Sequence, residues 1–180
     1  AWFSMFLYVV MAGYAILGLT LNAKLSYMMA KSIAPTGAMF TFVSLVTGAF
    51  WGKPTWGAWW VWDARLTSEL ILLFLYIGYM SLQAAIDDTR RSDRASAILA
   101  IVGVINVPII YFSVKWWNTL HQGSSINLTS SPSMAAIMLK GMLIIALGFW
   151  LYSVVVILMR VRREIEDRER NTAWLNEFKE

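Results

Sequence analysis

Long apolar runs, separated by shorter polar segments, set the pattern of this chain. Five runs carry almost no charge, and each has about the 20 residues that a helix needs to cross the hydrocarbon core of a bilayer. They extend over residues 2–21, 33–50, 69–86, 97–114 and 135–159. Because a single segment in lipid satisfies its backbone polar groups only as a helix, the pattern predicts an all-α, polytopic transmembrane helix bundle, with residues 1–180 as one integral membrane domain.

The basic residues between these runs predict the orientation of the bundle. Eleven of the fifteen lie in residues 22–32, 87–96 and 160–180, all at one end of the predicted spans. Lysine and arginine accumulate on the cytoplasmic side of membrane proteins. We therefore expect a cytoplasmic tail, 160–180, and an outer face that combines the connection after the second span with residues 115–134. That face has only Lys53, Arg65, Lys115 and Lys140.

The composition agrees with a membrane protein and excludes several kinds of function. The hydrophobic fraction is 58% and the charged fraction 14%, against roughly 45–50% and 25% in soluble domains. The sequence has no cysteine, which excludes disulfides, thiolate nucleophiles and thiolate metal sites. The orientation signal accounts for the net charge of +4, so no nucleic-acid partner is expected.

The first apolar run starts at the first residue. The chain begins Ala1-Trp2-Phe3, without the positively charged segment that opens a signal peptide. The orientation signal places this end outside, and a five-span chain without a cleavable signal does not readily insert in that way. A preceding helix would remove the difficulty, so we expect six spans in the intact protein.

Tryptophan is concentrated after the second span. Gly52 and Pro54 are expected to end that span, and helical spacing from Trp56 onwards places Asp63 on the same face as three indoles. The pattern predicts a short, external, tryptophan-rich amphipathic helix at the membrane surface. An interfacial aromatic belt explains one or two tryptophans, but this number indicates a surface for a flat, apolar ligand. The five tryptophans are Trp51, Trp56, Trp59, Trp60 and Trp62.

Two stretches carry a resemblance to a known family. "WGKPTWGAWWVWDARLTSEL" (51–70) resembles the WWD motif of the haem-handling membrane proteins of cytochrome c maturation. Within that group, "WDARLTSELILLFLYIGY" (62–79) resembles the CcmC branch, haem exporter protein C. "KWWNTLHQG" (115–123) resembles the outer loop of the same family, which carries a haem-ligating histidine. The resemblance extends over essentially the whole chain.

The resemblance implies a multi-pass protein of the bacterial inner membrane with six helices. It implies that haem b binds transiently at the periplasmic face, where the WWD segment cradles the macrocycle. The haem would be presented to the haem chaperone CcmE, in company with the small protein CcmD and the ABC-type complex CcmAB. Two external histidines would be axial ligands: the second matches His121, and the first would precede Ala1.

His121 is therefore the residue that we expect to ligate the haem iron, as neutral imidazole commonly does. A lone loop histidine is otherwise most often a hydrogen-bonded structural residue. A helical turn would place His121 beside Trp117. The indoles that we expect to bind the macrocycle are Trp56, Trp59, Trp60, Trp62, Trp116 and Trp117.

Charged residues beside the tryptophans are candidates for orienting the haem. Arg65 either pairs with a propionate, since guanidinium binds carboxylate in a bidentate manner, or extends to the lipid headgroups. Asp63 either orients an indole N–H group or balances the charge of Arg65. Lys53 and Lys115 are further candidates for propionate binding. Glu69 is interpreted as a favourable acid at the start of the third span.

Three classes of function remain open at this point. The leading prediction is haem binding and delivery, a trafficking role with no catalytic residue and no turnover of its own. The second is a haem lyase-like enzyme that promotes covalent attachment of haem to the chaperone, for which the sequence offers no cysteine, carboxylate pair or second histidine. The third is a transmembrane haem transporter, although the spans have few of the ionisable residues that transport pathways use.

Overall fold

The computed structural model describes residues 1–117, 121 and 134–169, and over these it contains six α-helices and no strand. α4 and α5 form one apolar stretch, so five segments of the described chain are long and apolar enough to cross a membrane. The predicted helix bundle is confirmed. The rest of the loop 115–134, and the tail beyond residue 169, lie outside the described residues. The helices are α1 (Trp2–Leu21), α2 (Lys24–Trp56), α3 (Ala64–Ala85), α4 (Thr89–Gly103), α5 (Asn106–Trp116) and α6 (Ala136–Arg168).

α2 is longer than the predicted second span at both ends. Only residues 22 and 23 separate it from α1, so the predicted loop 22–32 is wrong for most of its length. Pro54 does not end the helix, because a proline removes only its own N–H bond and bends the helix locally. The helix ends instead at Gly57, whose φ of 78° closes the last turn.

A kink interrupts the fourth span where the sequence has Asn106-Val107-Pro108, since proline cannot donate a helical hydrogen bond. Between α4 and α5 the backbone N–H groups of Val104, Ile105 and Val107 bond to carbonyls three residues back. The side chain of Asn106 donates to the Ser68 carbonyl of α3 at 2.8 Å. The kink is thus stabilised by the neighbouring helix.

Small residues let α1, α2, α3 and α4 approach closely, as is common between helices in lipid. A side chain at Gly37 would overlap the ring of Tyr76, and one at Gly103 would overlap the ring of Tyr8. The two tyrosine rings are fully buried and meet edge to face, with 4.9 Å between their centroids. The hydroxyl of Tyr76 also donates to the Ser4 carbonyl at 2.8 Å. The centre of the bundle is therefore tightly packed.

α6 lies at the periphery of the bundle and packs along α2. Phe149 meets Phe40 of α2 edge to face at 5.6 Å between centroids. Most other apolar side chains of α6 point outwards, and Ile144 is 71% exposed. Lipid is the expected environment of this face because its residues are apolar over the length of a span.

Replacing Gly37 by alanine is expected to lower the thermal unfolding midpoint in detergent, because the added methyl group overlaps the Tyr76 ring. Overpacking of this kind costs about 1–3 kcal/mol. Gly13→Ala on α1 is the matched control, since no atom lies within 4 Å of the position of its Cβ. The control should melt at or slightly above the parent midpoint. Equal melting of all three proteins would contradict the close approach of α2 and α3.

Candidate functional site

The residues that join α2 to α3, here called the tryptophan connection (57–63), do not form a helix. The predicted amphipathic helix beginning at Trp56 is therefore wrong. Trp56 is the last residue of α2, and Gly57 ends that helix in the left-handed conformation. Asp63 begins the next helix as its N-cap, with Oδ1 accepting the N–H of Leu66 at 2.8 Å. Gly57 stops one helix and Asp63 starts the next, so the residues between them are irregular. The helical spacing of the tryptophans does not reveal either of these signals.

The indoles form edge-to-face pairs instead of one flat row. Trp51 meets Trp56 with 5.1 Å between centroids, and Trp60 meets Trp62 at 5.5 Å. Trp59 meets Phe50 at 5.5 Å. Trp62 is 76% exposed and Trp59 54% exposed. Much apolar aromatic surface thus remains available at this end of the bundle.

His121 lies against the start of α3 and the end of α2. Its Nδ1 is 2.7 Å from Oδ2 of Asp63, and its ring meets Trp56 edge to face at 4.7 Å between centroids. The side chain of His121 is 18% exposed. The predicted neighbour, Trp117, does not share a helical turn with it, because α5 ends at Trp116 and Trp117 is extended. The indole beside the imidazole is Trp56.

Asp63 makes two hydrogen bonds that the sequence did not predict, while a charge balance with Arg65 stays a prediction. One of its oxygens caps α3 and the other bonds to His121. Neither bond involves an indole or Arg65. The signal for the cap was present in the sequence, since aspartate is a favoured N-cap residue. The bond to His121 joins residues 58 positions apart, and local sequence carries no sign of it.

Trp116 and Trp117 form a second aromatic group at the end of α5. Trp116 stacks on Phe112, with 5.0 Å between centroids and 17° between planes, and Trp117 meets Trp116 at 6.0 Å. The Nζ atom of Lys115 lies 6.0 Å from the centroid of Phe112. The structure gives no ring contact between this group and the pair Trp56–His121 within the described residues.

A cavity of about 330 Å³ lies beside His121, between the ends of α1, α2 and α3. Arg65 and Glu69 line it, together with the hydroxyls of Ser44 and Thr47. Arg65 and His121 thus line the same cavity, and propionate binding by Arg65 stays a prediction. Lys53 is held elsewhere, with Nζ 3.2 Å from the Gly57 carbonyl and 6.0 Å from the centroid of Trp59.

Glu69 is not a helix cap, contrary to the prediction. α3 begins at Ala64, so Glu69 lies in its second turn, and it is only 3% exposed. Its Oε1 is 3.0 Å from Oγ of Ser4, and its Oε2 has no hydrogen-bond partner in the part of the chain that the structure describes. One sequence feature could have indicated a functional residue here: Glu69 lies at the edge of a long apolar run, and an acid buried in such a run is costly.

Comparison with known proteins gives a match along nearly the whole chain. The family model described as "CcmC: Heme exporter protein C" matches residues 1–176. Heme exporter protein C of Escherichia coli strain K12 is 48% identical over 176 residues, which are 97% of this chain and 70% of that protein. The protein of the same name from Haemophilus influenzae is 46% identical, over 96% of this chain and 70% of its own length. The Marchantia polymorpha protein described as a "Putative cytochrome c biosynthesis ccmC-like mitochondrial protein" is 44% identical, over 88% of this chain and 67% of its own length.

Asp63→Ala is expected to make His121 more reactive towards diethyl pyrocarbonate, because the change frees Nδ1 and releases the ring, now only 18% exposed, to the solvent. We expect this gain in access to exceed the loss of nucleophilicity that follows from removing the carboxylate. His121 is the only histidine of the sequence, so mass spectrometry reads its acylation directly, and we expect a severalfold faster rate. Asp88→Ala is the matched control: Asp88 caps α4 through the Arg91 N–H at 2.7 Å. In both variants the free energy of unfolding should fall by about 0.5–2 kcal/mol, because a helix N-cap is lost. Equal reactivity in the two variants would show that Asp63 does not hold His121.

Proposed function

The chain belongs to the heme exporter protein C family, and on that premise we propose that it binds haem at the tryptophan connection and His121 and passes it on for the biogenesis of c-type cytochromes. The observation that carries this proposal is the bond between His121 and Asp63 beside the Trp56 ring. Haem is the cargo of this site, held transiently and then released.

Asp63 prepares His121 to ligate iron. When Nδ1 donates its proton to the carboxylate, Nε2 is the ring nitrogen with a free lone pair. A carboxylate on the far nitrogen fixes the tautomer and the ring orientation and makes the imidazole a stronger donor. Neutral imidazole is a standard axial ligand of haem iron. The donor set therefore fits haem, with His121 as one axial ligand.

The exposed indoles supply the apolar part of the site. A porphyrin is flat and largely apolar, and aromatic side chains meet such a ring by edge or offset contacts. Trp51, Trp59 and Trp62 are each more than half exposed, so their rings are open to such a ligand. Trp116 and Trp117 are exposed to a similar extent, and we assign them to the same ligand.

Arg65 is the residue best placed to bind a propionate. It lines the cavity that also contains His121, and its planar guanidinium matches a carboxylate with two parallel hydrogen bonds. Lys53 lies outside this cavity, beside the Trp59 ring, and offers a second positive charge. The two cations would thus orient the macrocycle once the indoles hold it.

The charge distribution supports a direction for the transfer. With the arginine-rich ends in the cytoplasm, the tryptophan connection faces the periplasm of a bacterial inner membrane. We propose that the haem is presented there to the chaperone CcmE, with CcmD and the ABC-type complex CcmAB as the other partners. Covalent attachment would then be chemistry of the haem and its receiver, and this chain would act without turnover of its own.

His121→Ala is expected to remove or shift the Soret band of the full-length protein purified from haem-replete cells, because the iron loses an axial ligand. The double variant Trp59→Ala/Trp60→Ala should bind haem about tenfold more weakly or worse, since each aromatic contact contributes about 0.5–1.5 kcal/mol beyond its buried area. Trp150→Ala, on the outer face of α6, is the matched control and should keep the parent spectrum. Absence of haem from the parent itself would contradict the proposal.

Arg65→Gln is expected to weaken haem binding about tenfold, because a hydrogen bond to a charged group contributes about 1.5–3 kcal/mol. The titration is repeated with haem dimethyl ester, whose propionates carry no charge. Parent and Arg65→Gln should then bind equally. A tenfold loss that persists with the ester would show that Arg65 supports the fold of the site without binding a propionate.

A further inference from the structure

A second cavity lies at the opposite end of the bundle, among the arginine-rich ends of the helices. It has a volume of about 420 Å³ and lies between α2, α3 and α6. Pro35, Met80 and Ala84 contribute apolar surface to its lining. Lys31, Arg160 and Arg163 contribute positive charge, and Glu164 and Asp167 line it as well. The cavity is therefore amphipathic, and it lies far along the helices from His121.

The carboxylates near this cavity are already engaged. Glu164 accepts hydrogen bonds from Lys31 at 2.7 Å and from Arg168 at 2.6 Å. Arg168 also bonds to Asp93 of α4 at 2.7 Å. Asp167, the other acid at the cavity, has an interaction of its own. This network joins the ends of α2, α4 and α6 and leaves the cavity walls in fixed positions.

Two arginines at the cavity are not part of that network. Arg160 donates from Nη1 to the hydroxyl of Thr36 at 2.9 Å, and Thr36 is only 1% exposed. That bond holds one branch of the guanidinium against α2. No carboxylate of the described residues forms an ion pair with Arg160 or Arg163. Arg160 is half-buried and Arg163 exposed, so both guanidinium groups are available to an anion, and their planar geometry suits phosphate oxygens.

The level of Arg160 relative to the membrane indicates the kind of anion. The apolar run of α6 ends at Met159, so Arg160 is the first charged residue of that helix after Lys140. A cation at that position lies at the level of the lipid headgroups. Basic pockets between spans at the cytoplasmic side are known to take anionic lipid headgroups.

We propose that this cavity binds the headgroup of an anionic phospholipid, with its phosphate on Arg160 and Arg163. The site is independent of the proposed haem surface, because it shares no residue with it. It also gives α6, which packs mainly along α2, a further attachment to the end of α3.

The test is native mass spectrometry of the full-length protein in detergent, titrated with phosphatidylglycerol and, separately, with phosphatidylcholine. The parent should retain phosphatidylglycerol preferentially. Arg160→Gln and Arg163→Gln should each weaken that binding about fivefold, the effect of one basic residue at an anionic surface. Arg160→Lys should weaken phosphatidylglycerol binding less than Arg160→Gln does, because lysine keeps the positive charge. Circular dichroism and size-exclusion profiles equal to those of the parent show that the variants are folded.

Arg162→Gln is the matched control, because Arg162 is 82% exposed and pairs with Glu166 on the outer side of the same helix. It should change binding by less than about twofold, as expected of an exposed ion pair. An equal loss for Arg162→Gln and Arg160→Gln would overturn the proposal in favour of general surface charge. Displacement of the lipid by millimolar inorganic phosphate or glycerol phosphate would overturn it in favour of a soluble anion. Haem that competes for the same arginines would overturn it in favour of a second haem site.

Discussion

One carboxylate joins the start of α3 to the imidazole at the outer end of the bundle. Oδ1 of Asp63 accepts the N–H of Leu66, and Oδ2 lies 2.7 Å from Nδ1 of His121. The first bond determines where α3 begins and how much chain remains for the tryptophan connection. The second brings residue 121, which follows α5, against the Trp56 ring. Because both bonds need the carboxylate at one position, the helix start and the imidazole orientation are set together.

The spans beneath this arrangement supply its rigidity. Gly37 and Gly103 allow the rings of Tyr76 and Tyr8 to lie between α1, α2, α3 and α4. Such contacts replace the hydrophobic effect, which does not act between helices that are already in lipid. The two ends of the bundle then differ in chemistry: aromatic rings at one end and a network of paired and unpaired charges at the other. Each end is suited to a different amphipathic ligand.

The spans and their order can be predicted from the sequence because lipid leaves the backbone no alternative to a helix. The conformation after Trp56 could not, because helical spacing continues past Gly57 while the end signals stop the helix there. The partner of His121 depends on a contact between residues distant in the sequence. The burial of Glu69 depends on where Ser4 of α1 packs against α3. The last two features are tertiary, whereas the end of α2 at Gly57 and the start of α3 at Asp63 are local signals that helical spacing alone does not reveal.

The tryptophan connection has only seven residues and is closed at both ends by helix caps. A segment so short has little freedom to lose, so a ligand that settles on it costs little ordering entropy. For the same reason the segment has few conformations that would move it aside from a bound ligand. In the proposed function, haem would leave by exchange, with the receiver taking a coordination position on the iron before His121 gives up its own. The rate of haem transfer would then rise with the concentration of the receiver. It would not reach a plateau at the rate at which haem dissociates from this chain unaided.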